Sequence, residues 1–171
     1  NYANALNNPY AHLQRHLTVE DALRTRMISW PLRLSDCCPS SDGACAVIFA
    51  SEERARQITK TPAWVRGAGQ ITDNYYAGDR PWYHDWDSLA MLARRVYKLA
   101  KISNPMAEIQ VAEPYVAFSV QEIIEYEALG FAEPGRGTEL IRKGVTAMGG
   151  KLPICPSGGV LTSNPIRASG L

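Results

Sequence analysis

The strongest constraint on this fold is a seven-residue apolar run, Ala44 to Ala50. A turn cluster precedes it (residues 35 to 43, Ser-Asp-Cys-Cys-Pro-Ser-Ser-Asp-Gly) and a helix cap follows at Ser51. A short segment that is apolar on both faces and bounded by turn signals reads as a strand buried at the centre of a sheet. Further short strand patterns alternate with amphipathic ones, so the class is α/β.

Residues 1 to 17 are rich in Asn, His and Tyr, lack periodicity and read as loop. Thr18 followed by Glu20 and Asp21 opens a predicted helix over 19 to 28, which Trp30-Pro31 ends. Ser51, with Glu52 and Glu53 behind it, caps a short helix to about Ile58. Asp87 caps the best helix, with Leu89, Leu92, Val96 and Leu99 on one face. Its other face carries Arg94, Arg95, Lys98 and Lys101, read as solvated, and Ser103-Asn104-Pro105 ends it. Ser119-x-x-Glu122 is a capping box for a helix to Leu129, with Gly130 after its end. Residues 138 to 148 form the last helix, closed by Gly149-Gly150. Strands are predicted over 63 to 72, over 108 to 115 and from 152 to 155. Between 73 and 86 lies a long loop with Tyr75, Tyr76, Trp82, Tyr83 and Trp86.

Composition narrows the function. The 171 residues suit one domain, since domains run to about 150 residues. Eighteen basic and 17 acidic residues give a net charge of +1, which does not favour nucleic acid as partner. The longest apolar run is far short of the about 20 residues of a spanning helix, so no membrane insertion is expected. Asn1-Tyr2-Ala3-Asn4 shows neither a basic nor an apolar leader region, so no signal peptide is expected. Cys37, Cys38, Cys45 and Cys155 form no C-x-x-C pair, and His12, His16 and His84 are not at zinc-ligand spacing to them. Reduced thiols, a cytoplasmic setting and no metal follow as expectations.

Three segments, in order, resemble the thiolase superfamily. Residues 35 to 47 (SDCCPSSDGACAV) look like the entry to the first strand of its C-terminal half. Residues 111 to 119 (VAEPYVAFS), with Glu122 and residues 126 to 130 (YEALG), are similar to the His-Asp-Cys-Phe segment of sterol-carrier-protein-type thiolases. Residues 156 to 170 (PSGGVLTSNPIRASG) resemble the Gly-Gly and Gly-His-Pro loop. The resemblance implies an α/β thiolase-like layered fold, with a mixed sheet and helices on both sides. It makes residues 1 to 171 a C-terminal thiolase-like domain, truncated at both ends and inactive in isolation.

The departures shape the expected chemistry. Tyr115 stands at the family's histidine, with Val116 and Ala117 after it, while Asn164 stands at the second histidine and Arg167 at a following glycine. None of the four cysteines matches the family's nucleophile. The resemblance makes Tyr115 and Asn164 the catalytic candidates, and Phe118, Gly158, Gly159 and Ser163 the substrate-binding ones. An Asn amide does not titrate, so Asn164 cannot take a proton from a thiol. Thiolase-like aldolases of steroid side-chain degradation also lack the histidines and use tyrosine. The favoured expectation is retro-aldol cleavage of a β-hydroxyacyl-CoA with Tyr115 as acid/base. Acetyl-CoA acetyltransferase-type acyl transfer and non-catalytic lipid or acyl-CoA binding are the alternatives. The resemblance further implies a CoA thioester as substrate with no other cofactor, a homodimer, and a small partner with a zinc ribbon and an OB fold. Glu127, on an apolar helix face, reads as a structural carboxylate needing partners.

Overall fold

The computed structural model describes residues 1–79 and 86–165. Trp82 and Tyr83 of the aromatic loop, and Arg167 with the rest of the last motif beyond Pro165, lie outside the described residues. Along the chain run α1 (Tyr2–Ala5), α2 (Val19–Arg24), a hairpin β1 (Met27–Ser29) and β2 (Leu32–Arg33), and α3 (Glu52–Ile58). There follow α4 (Asp87–Ala100), α5 (Pro105–Glu108), α6 (Ser119–Ala128) and α7 (Gly137–Arg142).

Local caps set the helix starts. The Thr18 hydroxyl accepts from Asp21 N at 3.1 Å, and Asp21 accepts in return from Thr18 N. The helix stops at Arg24 rather than 28, because the chain turns into the antiparallel β1–β2 pair around Trp30-Pro31. Ser51 accepts from Arg54 N, as its position predicts. The expected Ser119 capping box does not form. Phe118 holds the cap position of α6, and the Ser119 hydroxyl instead donates to Asp36 Oδ1 at 2.8 Å. At the other end Gly130 takes φ +72°, and Phe131 N closes back on the Tyr126 carbonyl at 2.8 Å. Helix α7 ends at Arg142, before two successive turns bring in Leu152.

The core gathers Val116, Tyr126, Phe131, Leu152, Ile154 and Cys155, with Met106, Ile109, Leu140 and Val145 packed against them. Residues 108 to 115 and 152 to 155 meet through a parallel bridge, Ala112 with Ile154. Cys155 N donates to the Ala112 carbonyl at 3.0 Å, and Ala112 N to the Pro153 carbonyl at 3.1 Å. An antiparallel bridge joins Cys37 to Phe118.

None of the four expected strands forms among the described residues: 108 to 115 and 152 to 155 share one isolated bridge, with Glu108 ending α5, and 44 to 50 and 63 to 72 have none. Residues 44 to 50 are exposed, with Ile48 at 89% and Phe49 at 79%, because no described segment offers a ladder partner. Residues 63 to 72 run along α4 without a ladder, yet keep a two-residue period. A Cβ on Gly67 would lie 2.9 Å from the Val96 carbonyl oxygen, and one on Gly69 2.8 Å from Leu92 Cδ1. The glycines let this segment reach the helix.

The N-terminal stretch is not plain loop. Asn4 Nδ2 donates to the Cys155 carbonyl at 2.9 Å, and Asn8 Nδ2 to the Ser157 carbonyl at 2.9 Å. Gly158 packs so close to Ala5 that a Cβ there would sit 2.7 Å from the alanine Cβ. The Asn-rich start of the chain is thus a brace on the glycine turn. No described helix is long and apolar enough to cross a membrane.

Candidate active site

Two of the loops that the sequence singled out converge. Tyr115 ends the segment that pairs with Ile154, and Asn164 follows the glycine turn. The Tyr115 hydroxyl donates to Asn164 Oδ1 at 2.9 Å. Asn164 is 7% exposed and Tyr115 45%, so an exposed tyrosine bonds a buried amide. Asn164 Nδ2 donates to Cys38 Sγ at 3.1 Å. Its backbone is clamped to Ser41, with Asn164 N donating to Ser41 Oγ at 3.2 Å and Ser41 N to the Asn164 carbonyl at 3.2 Å. Ser41 Oγ also meets His12 Nδ1 at 2.7 Å. The first, second and third motifs therefore meet at one residue, Asn164.

Two cavities lie on either side of Pro114. The first, about 520 Å³, is lined by Gly43, Ala44, Cys45, Glu113, Gly159, Ser163 and their neighbours. It holds two of the expected substrate-binding residues, Gly159 and Ser163. Gly158 is absent from its lining and packs instead on Ala5 and Thr162. The second cavity, about 430 Å³, is lined by the apolar Ile71, Trp86, Leu89, Pro114 and Leu129 and by Asp73, Ser88, Tyr115, Gln121 and Glu125. Trp86 brings the aromatic loop to this cavity. Phe118 lines neither cavity; its backbone bridges to Cys37.

Glu125 was not legible as a site residue. The apolar face of α6 is not its most buried one: the helix buries Glu125 and Tyr126, while Val120 is 47% exposed. Glu125 is 3% exposed. Gln121 Nε2 donates to Glu125 Oε1 at 2.8 Å, and also to the Tyr115 carbonyl. Among the described residues, Glu125 Oε2 has no hydrogen-bond partner. Burial pushes this carboxyl up to about 7; the Gln121 hydrogen bond opposes the rise and the nearby Glu122 charge adds to it. The signal available in sequence was the Gln121/Glu125 pair at helical spacing directly after Tyr115.

Glu127 behaves as the sequence predicts. Its carboxylate accepts from Gly135 N at 2.9 Å and Gly137 N at 2.9 Å, pinning the α6–α7 turn. The four cysteines are unpaired. Burial pushes the Cys155 thiol well up, and burial followed by the Asp36 charge raises Cys37. Both shifts disfavour the thiolate that a nucleophile needs. Among the described residues no group of three or more His, Cys, Asp or Glu side chains could hold a metal ion.

Residues 69–171 match the family model described as thiolase C-terminal domain-like. The chain is 37% identical over 172 residues to an acetyl-CoA acetyltransferase of Methanothermobacter thermautotrophicus, covering 100% of this chain and 44% of that protein. It is 33% identical over 165 residues to a 17-hydroxy-3-oxo-4-pregnene-20-carboxyl-CoA lyase of Mycobacterium tuberculosis, covering 92% of this chain and 42% of that one. The backbone superposes on the solved Ltp2-ChsH2(DUF35) aldolase with a TM-score of 0.82 at 30% identity, covering 94% of this chain and 43% of that one. The chain thus spans less than half the length of each of these relatives.

Proposed function

The chain belongs to the thiolase C-terminal domain-like family, and on that premise we propose that the protein carrying it cleaves a β-hydroxyacyl-CoA by a retro-aldol reaction. The observation that carries this reading is the 2.9 Å hydrogen bond from Tyr115 to Asn164. It sets a phenol and a non-titrating amide at the two places where the family resemblance puts histidines. Acyl transfer through a cysteine needs a base beside the thiol, and the Asn164 amide, which does not titrate, cannot be that base. Retro-aldol cleavage needs no nucleophile. It needs a group to exchange a proton with the substrate and a donor for the oxygen that becomes the enolate. Tyr115 lines a mainly apolar cavity and is the acid/base group at that oxygen. Asn164 Oδ1 fixes the phenol's direction. The names of two of the relatives, a steroid-acyl-CoA lyase and an aldolase, support the same class.

The acetyltransferase relative keeps acyl transfer as the competing reading. The test assays the full-length protein with a β-hydroxyacyl-CoA and with acetoacetyl-CoA plus CoA, comparing Tyr115→Phe. We expect cleavage of the first substrate, with kcat reduced by about 10² or more in the variant. Turnover that is unchanged in Tyr115→Phe would remove Tyr115 from the chemistry. Thiolysis of acetoacetyl-CoA without cleavage of the β-hydroxyacyl thioester would replace the aldolase reading with acyl transfer. A dimeric assembly and an OB-fold partner are further parts of this proposal; the partner is supported by the paired ChsH2(DUF35) name of the aldolase.

A further inference from the structure

The retro-aldol reading leaves one proton without a destination. The β-hydroxyl must lose it as the carbon–carbon bond breaks, and the phenol of Tyr115 is itself a hydrogen-bond donor to Asn164. Glu125 supplies what is missing. It is 3% exposed, it shares a cavity of about 430 Å³ with Tyr115, and its Oε2 has no partner among the described residues. Gln121 ties the two together by donating to Glu125 Oε1 and to the Tyr115 carbonyl. The other carboxylate of that cavity, Asp73, accepts from the Ser88 hydroxyl at 3.0 Å. A buried carboxyl oxygen left unpaired is a costly arrangement unless a ligand completes it.

We propose that Glu125 is the catalytic base of this cavity, its carboxylate taking the β-hydroxyl proton and returning it to the substrate's α-carbon. This rests on the retro-aldol reading. The step balances as follows. The ionised Glu125 carboxylate takes the hydroxyl proton while the oxygen's electron pair forms the new carbonyl. The bond between the α- and β-carbons breaks, and its electron pair becomes the double bond of the thioester enolate. The Tyr115 hydroxyl, rotating its one hydrogen from Asn164 Oδ1 to the substrate, donates to the enolate oxygen. The Glu125 acid then protonates the α-carbon, leaving a shortened acyl-CoA, a free carbonyl product and the carboxylate restored. No redox partner or second reactant is consumed.

The groups facing Glu125 agree with a carboxyl that titrates near neutrality. They are Gln121 and Glu122 on its own helix, Tyr115, Asp73 and Ser88 around the cavity, and the Cys155 thiol behind it. No lysine, arginine or histidine is among the described residues lining this cavity.

The experiment uses the full-length protein with 3-hydroxyoctanoyl-CoA, following acetyl-CoA and hexanal by chromatography across pH. Wild type, Glu125→Gln, Glu125→Asp and Tyr115→Phe are compared, with thermal melts to verify folding. We expect Glu125→Gln to lose kcat by about 10² to 10⁴ with KM little changed. The acid limb of the wild-type pH profile, centred at about 7, should vanish with it, and Glu125→Asp should recover part of the rate. Cleavage by wild type and by Glu125→Gln at equal kcat and with the same profile would overturn the base assignment alone. No cleavage by wild type would overturn the reaction reading and the assignment together.

Discussion

Replacing Glu125 by Gln should change stability with pH in a direction fixed by the structure. The carboxyl sits at about 7 in the folded protein against an ordinary 4.5, chiefly because it is buried. The folded state therefore binds this proton more tightly than the unfolded chain does. Its contribution is fully present below about pH 4.5 and is lost as pH rises through about 7. Each pH unit between the two values is worth roughly 1.4 kcal/mol, so ionising Glu125 in place costs about 3 kcal/mol. Glutamine copies the neutral acid in shape and keeps an oxygen for Gln121, but it never ionises. The full-length protein and its Glu125→Gln variant should therefore unfold at nearly the same urea concentration at about pH 4. The variant should gain steadily from about pH 4.5 to about 7 and hold a lead of about 3 kcal/mol from there to about pH 9. Groups that titrate identically in both proteins cancel in the difference. A difference that stays flat across this range would refute the burial argument. So would a variant that is less stable at high pH, which would mean that the charge has a partner.

The other predictions concern the frame of the site. Glu127→Ala removes acceptors from two backbone N–H groups at 2.9 Å, one of them on the buried Gly137. At about 1.5–3 kcal/mol for a charged hydrogen bond, with partial recovery by water at Gly135, a loss of about 2–4 kcal/mol is expected in urea unfolding. A loss below about 0.5 kcal/mol would show that the α6–α7 turn holds without it. Gly158→Ala should be at least as damaging to the glycine turn. Gly158 has φ +98°, and a Cβ would sit 2.5 Å from Thr162 Oγ1 and 2.9 Å from Ala5 Cα. Strain and overpacking together predict a loss of about 2–4 kcal/mol. A melt within a degree of wild type would show that the brace of residues 1 to 8 yields easily.

What was legible in the sequence was local. Thr18/Asp21 and Ser51 fixed two helix starts, because a cap involves only residues three apart. Gly130 marked a helix end for the same reason: a positive φ is a property of one residue. The strands were not legible to the same degree. An apolar run such as 44 to 50 states that a segment wants burial, but a ladder also needs a partner in register, and no described segment supplies one. Tyr115 and Asn164 were found by motif, 49 positions apart, and the chain does join them. The bond from Asn164 to Cys38 had no sequence signal.

Glu125 and Glu127 sit two positions apart on one helix, and the sequence singled out only the second. Burial by itself does not separate their roles. Glu127 faces the turn before α7, where two N–H groups fill its lone pairs, and it is accounted for as structure. Glu125 is the more buried, yet it receives one hydrogen bond from Gln121 and leaves Oε2 without a partner among the described residues. A purely structural role would be filled at least as well by glutamine or by an apolar side chain. What a carboxyl adds at that place is the capacity to take and release a proton near neutral pH, in the lining of a mainly apolar cavity that it shares with Tyr115. The unfilled oxygen, rather than the depth of burial, therefore marks Glu125 as chemistry and Glu127 as scaffold.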